Sequence, residues 1–122
     1  MNAGDPTKKL LRYLKAGVYA YLILSILKVK GRVYGYMLLT EIARFTEGYL
    51  NPSESTVYET LKELERRGLV RSYWGLPGGR GPPRKYYELT PRGYETLREL
   101  REEVARLVKV LEKASRLYEG GG

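Results

Sequence analysis

The 122 residues include neither cysteine nor histidine, which excludes disulfides, thiol nucleophiles, Cys/His metal sites and histidine acid–base chemistry. No arrangement of the remaining Asp, Glu, Lys, Ser or Tyr side chains asks for catalysis, so neither an enzyme, a metal nor a cofactor is expected. Twenty-two Lys and Arg against 14 Asp and Glu leave a net charge of +8 and point to a polyanionic partner, because each neutralised phosphate releases condensed counterions.

In chain order, Asp5-Pro6 reads as an N-cap followed by a first helical residue. Leu10, Leu11, Leu14, Val18, Leu22, Ile26 and Val29 follow at spacings of three or four, which predicts a helix over 6–30, buried along one side and stopped by Gly31. Gly35-Tyr36 opens a second helix with Leu38, Leu39, Ile42, Ala43 and Phe45 as its apolar positions, ended by Gly48. Tyr49 to Pro52 is a turn. A third helix begins near Ser53, with Asn51 and Ser53 competing as its N-cap, Val57, Leu61 and Leu64 on its core face, and Gly68 as its C-terminal stop. Leu69–Trp74 and Lys85–Leu89 read as strands around a Gly/Pro-rich loop. Thr90-Pro91 starts a last helix over 91–118. In it Leu97, Val104, Leu111 and Tyr118 are seven apart, and Leu100, Leu107 and Ala114 interleave as the second heptad position, the pattern of a packed helical seam.

This order describes an α+β, mainly helical chain: a winged helix-turn-helix with a long N-terminal helix and a C-terminal dimerisation helix. Length and the lack of a linker fit a single domain, 1–122, with 6–90 as the winged-helix part. No uninterrupted apolar run of 18 residues occurs, so no membrane span is expected, and the N-terminus does not read as a signal peptide. A soluble cytoplasmic protein is the expectation. The lack of glutamine beside abundant Arg and Glu fits a heat-adapted source.

Charge is concentrated where such a fold meets DNA. Residues 71–90 hold four basic residues against one acidic, and residues 1–30 hold six against one. In the third helix, Ser53, Ser55 and Thr56 bring short hydroxyls to a helix N-terminus that itself attracts phosphate. Tyr58 can donate its hydroxyl to a phosphate, and Lys62, one turn further, can reach one as a cation. Ser53 and Thr56 also serve simply as caps, a role compatible with DNA contact. Glu59, Glu63 and Glu65 make this helix region net negative, with Glu59 expected nearer the contact face and Glu63 turned away. In the wing loop, Arg80 between glycines suits close approach to a phosphate or a minor groove, with Arg84 and Lys85 behind it and Pro82-Pro83 stiffening the tip. The blander reading is an exposed basic loop. Lys8, Lys9, Arg12 and Lys15 either extend the phosphate-contacting surface or, the commoner case, form a solvated face of the first helix whose apolar side packs on the last helix of a partner; the many tyrosines read as core and interface packing, with base stacking the alternative. Leu97, Leu100, Val104, Leu107, Leu111, Ala114 and Tyr118 are the expected seam of a two-fold homodimer. Such a dimer would set two recognition helices about 34 Å apart on double-stranded DNA.

Several of these pieces resemble the PadR family of transcriptional regulators across roughly residues 17–112. They are Gly35-Tyr36, Ser55-Thr56-Val57-Tyr58, Leu61 to Glu65 with Gly68-Leu69-Val70, Gly79-Arg80, Pro83-Arg84-Lys85-Tyr86-Tyr87, and Leu89-Thr90 with Gly93. The resemblance is to the smaller subfamily with one C-terminal helix. It implies a dimeric repressor of palindromic promoter sites that often releases DNA in response to a small aromatic compound or a stress signal, so an effector of unidentified chemistry is part of the expectation. The family's recognition-helix tyrosine and lysine fall on Tyr58 and Lys62, and its wing basics on Arg80, Arg84 and Lys85. Two features depart from the pattern. Gly81-Pro82 is inserted in the wing. The single tryptophan, Trp74, lies in a strand, whereas some members bind planar drugs on a tryptophan of the C-terminal helix. The alternatives are a non-specific architectural or RNA-binding winged-helix protein and a protein-interaction module.

Overall fold

A computed structural model describes residues 4–75 and 81–120. It contains α1 (Pro6–Lys30), β1 (Arg32–Tyr34), α2 (Gly35–Phe45), α3 (Glu54–Arg66), β2 (Val70–Trp74), β3 (Lys85–Leu89) and α4 (Pro91–Glu119).

Local chemistry sets most of these boundaries. The Asp5 carboxylate accepts from the Thr7 amide at 3.0 Å, and Pro6 supplies the first helical φ of α1. Gly31, at φ 89°, donates its amide to the Leu27 carbonyl and turns the chain out of the helix. Ser53, not Asn51, caps α3, its hydroxyl accepting from the Thr56 amide at 3.1 Å. Between α2 and α3 the Thr46 hydroxyl donates to the Ile42 carbonyl and accepts from the Leu50 amide, at 2.8 and 3.0 Å, fixing the tight turn of the helix pair. Thr90 does the equivalent work at α4. Its hydroxyl accepts from the Gly93 amide and donates to the Gly68 carbonyl at 2.6 Å, tying the start of α4 to the end of α3.

The sheet has three strands where the sequence suggests two. Arg32–Tyr34 pairs antiparallel with β3, giving the order β1-β3-β2. A strand of three residues carries too little periodicity to announce itself, and its partner lies more than fifty positions away. The second strand begins at Val70, one residue later than expected.

One core lies between the helices and the sheet. Ile23, Leu24 and Leu27 of α1 meet Leu38 and Ile42 of α2, Val57, Leu61 and Leu64 of α3, Val33, Val70, Tyr87 and Leu89 of the sheet, and Leu97 of α4. Each such aliphatic side chain contributes roughly 1.5–3 kcal/mol through removal from water. The apolar stripe read along α1 is corrected here. Leu10, Leu14, Val18 and Val29 are exposed, while the core is served by Ile23, Leu24 and Leu27. Phe45, read as an apolar position of α2, is also exposed. By length and composition α1 is apolar enough to cross a membrane, with an 18-residue window of mean hydropathy 1.4, because Lys and Arg at its edges do not erase the apolar average. In this fold its Ile23, Leu24 and Leu27 are taken up by the core.

Candidate nucleic-acid interface

The third helix divides its exposed surface in two. Tyr58 and Lys62 face the hairpin, while Thr56, Glu59 and Glu63 face the N-terminal half of α1. On the hairpin side a cleft of about 820 Å³ is bounded by Tyr34, Gly35 and Tyr36 at the start of α2, by Tyr58, Lys62 and Glu65 of α3, and by Trp74, Pro83, Arg84, Lys85 and Tyr87 of the wing. Four of the residues expected to touch DNA, Tyr58, Lys62, Arg84 and Lys85, are thus brought to one opening. Ser53, Ser55 and Thr56 sit at the N-terminal end of the same helix, with Ser53 and Ser55 exposed. Ser53 is also engaged as the cap, its Oγ 3.0 Å from the Thr56 hydroxyl. Arg80 lies outside the described residues.

The wing is held by its stem. The Gly75 amide donates to the Arg84 carbonyl at 2.6 Å, and Trp74 pairs with Lys85 as the last rung of the β2–β3 ladder. Alternation along β2 puts Val70, Ser72 and Trp74 on one face and Arg71 and Tyr73 on the other. The first face starts in the core and ends in the cleft, so Trp74 emerges exposed beside the cations. Sequence reasoning set Trp74, Tyr34 and Tyr36 aside. The signal that could have found Trp74 was its period-two relation to buried Val70.

The acidic residues of α3 are accounted for one at a time. Glu63 is paired with Arg66 and, at 2.6 Å, with Arg67, and the Arg67 hydrogen bond holds its carboxyl below the ordinary value. Glu65 accepts from the Ser72 hydroxyl at 2.6 Å. Glu59, expected near the contact face, instead borders the groove with α1, where Lys8, Arg12 and Lys15 are its neighbours. Of these three acids only Glu65 borders the cleft that carries Tyr58 and Lys62. At the cleft floor, burial pushes the Tyr87 hydroxyl up, with Tyr58 and Glu65 adding to the shift.

The expected seam is split by the fold. Leu97 is buried in the protomer's own core, and Leu100 is half-buried against it. Val104 is half-buried, while Leu107 and Leu111 are each 57% exposed and Ala114 and Tyr118 are exposed. Among the described residues only the first turns of α4 pack on the rest of the chain, and Val108, Val110 and Leu117 add to the bare apolar surface beyond them. Leu10, Tyr13, Leu14 and Val18 expose a second apolar strip on α1.

Residues 23–99 match the model of a family described as the transcriptional regulator PadR-like family. Among solved structures, a transcriptional regulator from Clostridium thermocellum is 31% identical, with a TM-score of 0.72 over 82% of this chain and 92% of that one. A PadR family transcriptional regulator from Eggerthella lenta is 30% identical, with a TM-score of 0.72 over 89% and 91% of the two chains. Bacillus subtilis PadR, in a structure with operator DNA, is 26% identical, with a TM-score of 0.57 over 66% of this chain and 45% of that protein.

Proposed function

The chain belongs to the PadR-like family of transcriptional regulators, and from that premise we propose that it is a repressor that binds a palindromic promoter site as a homodimer. The observation that carries this reading is the convergence of Tyr58 and Lys62 from the recognition helix with Arg84 and Lys85 from the wing on one exposed cleft. A helix laid in a major groove presents such side chains to phosphates and base edges, and the adjacent hairpin adds backbone contacts. The relative from Bacillus subtilis with operator DNA supports the same use of the fold.

The homodimer rests on the apolar strips of α1 and α4. Contiguous bare apolar surface of this kind marks an interaction site, and two-fold pairing covers the same patch on both copies. Val104, Leu107, Leu111, Ala114 and Tyr118 then form the inter-subunit seam, and Leu97 and Leu100 anchor α4 to its own domain. The reading includes a small-molecule effector that releases DNA, as the family resemblance implies, and it places the protein in the cytoplasm, where the DNA is.

Selection from a pool of random duplexes tests the proposal. Enrichment of a two-fold symmetric sequence with half-sites about 10 base pairs apart is expected. A pool that stays random after repeated rounds would favour non-specific binding and contradict it.

A further inference from the structure

An arginine at the base of a hairpin ordinarily samples many rotamers, and fixing it on a phosphate costs that freedom. In this wing the Arg84 guanidinium carbon sits 4.4 Å from the centre of the Tyr34 ring, within the range of a cation–π contact. The ring is itself held. Tyr34 ends β1 and is the N-cap residue of α2, so its backbone belongs to two elements at once. Its ring meets that of Tyr86 edge to face, with centroids 5.9 Å apart and planes at 86°. Tyr86 stacks on Tyr73 at 6.1 Å, and the Tyr73 hydroxyl accepts from Arg32 at 2.8 Å. The row follows from register, since Tyr34, Tyr86 and Tyr73 are direct partners across the three strands. The ion pairs of the described residues engage Glu41, Glu63, Glu88 and Glu103, none of them with Arg84. A guanidinium resting on an aromatic face keeps its N–H edges free, and those edges take a phosphate in bidentate fashion.

From this geometry we infer that Tyr34 is a positioning residue of the DNA interface: it holds Arg84 ready for a backbone phosphate while touching no DNA itself. The inference rests on the DNA-binding function proposed above and extends it to a side chain outside the recognition helix and wing.

The test is a set of titrations of a selected duplex and a scrambled duplex across salt concentrations, with wild type, Tyr34→Phe, Tyr34→Leu, Arg84→Ala and the double variant Tyr34→Leu/Arg84→Ala. Tyr34→Phe keeps the ring and binds as wild type. Tyr34→Leu weakens binding by about two- to fivefold per half-site, the range of an exposed cation–π contact. Its salt slope stays at the wild-type value, because no phosphate contact is removed. Arg84→Ala weakens binding and flattens the slope by about 0.9 per half-site. The double variant binds no worse than Arg84→Ala alone. Wild-type affinity in Tyr34→Leu overturns the inference. So does a Tyr34→Leu loss that persists undiminished in the Arg84→Ala background, which would mark a role in folding the hairpin. Either result leaves the DNA-binding reading standing. A wild-type protein that prefers no duplex defeats that reading and this inference together.

Discussion

Gly35 lies directly against the ring of Tyr58: a methyl group on its α-carbon would stand 2.5 Å from Cε1, Cζ and Oη of that ring. The first residue of α2 thus sets where the recognition helix keeps its tyrosine. The obstructed atoms are the far end of a rotatable side chain, so the ring can swing away at modest cost in stability. Gly35→Ala is therefore expected to leave the thermal midpoint nearly unchanged while weakening DNA binding to the level of Tyr58→Ala. Thermal unfolding and a duplex titration check both halves. Wild-type affinity in Gly35→Ala would show that the position of Tyr58 is immaterial.

Gly93 presents the opposite case. A Cβ there would run into the Leu69 carbonyl oxygen and come within 3.3 Å of Leu89 Cδ2. In an open helix Ala would be favoured over Gly by about 1 kcal/mol. Here the obstacle is backbone, which cannot rotate away, and overpacking of this kind costs about 1–3 kcal/mol. Gly93→Ala is expected to lower the denaturant midpoint with no change in the m-value. A variant as stable as wild type would mean that α4 can shift freely away from Leu69 and Leu89.

Leu107 is 57% exposed within its own protomer, so Leu107→Glu should leave that protomer folded. In a two-fold seam the same change places two carboxylates in apolar surroundings, a burial that proteins avoid. Sedimentation at micromolar concentration is expected to show a folded monomer. A fully dimeric variant would place the dimer contact elsewhere.

Two half-buried acids give the fold a mild acid sensitivity. Arg67 holds the Glu63 carboxyl below its ordinary value of 4.5, and Arg44 does the same for Glu41. A depressed carboxyl stabilises the folded state above about pH 4.5 and loses that contribution as pH falls through the folded value. The thermal midpoint is expected to drop on acidification through this window, and to drop less in the double variant Glu41→Gln/Glu63→Gln. An identical acid response in both proteins would show that other groups carry it.

Much of this architecture was legible residue by residue. Asp5-Pro6 and Thr90-Pro91 gave their helices away because a cap is a bond between near neighbours, and Val57, Leu61 and Leu64 because one face of α3 really is buried. The reading of α1 went astray for a physical reason. Spacing tells that Leu10, Leu14 and Val18 share a face, but not whether the chain's own core covers it. Strand β1 was invisible because its conformation comes from pairing Tyr34 with Tyr86, a contact no local pattern encodes. The candidate site divides in the same way. Tyr58, Lys62, Arg84 and Lys85 carried recognisable chemistry, whereas Trp74 reaches the cleft only through the pleat of β2, and Tyr34 borders it only once β1 pairs with β3. The expectation for Arg80 falls on a segment outside the described residues.

The central claim is sequence-specific DNA binding through the cleft between α3 and the wing. Fluorescence anisotropy with a selected palindromic duplex and a scrambled duplex of equal length, at about 150 mM salt, tests it most directly. The account predicts tighter binding to the palindrome by roughly 10³ or more, and weaker binding of Lys62→Ala to both duplexes with the dimer intact. Equal affinity of the wild type for the two duplexes, or wild-type affinity in Lys62→Ala, would contradict it.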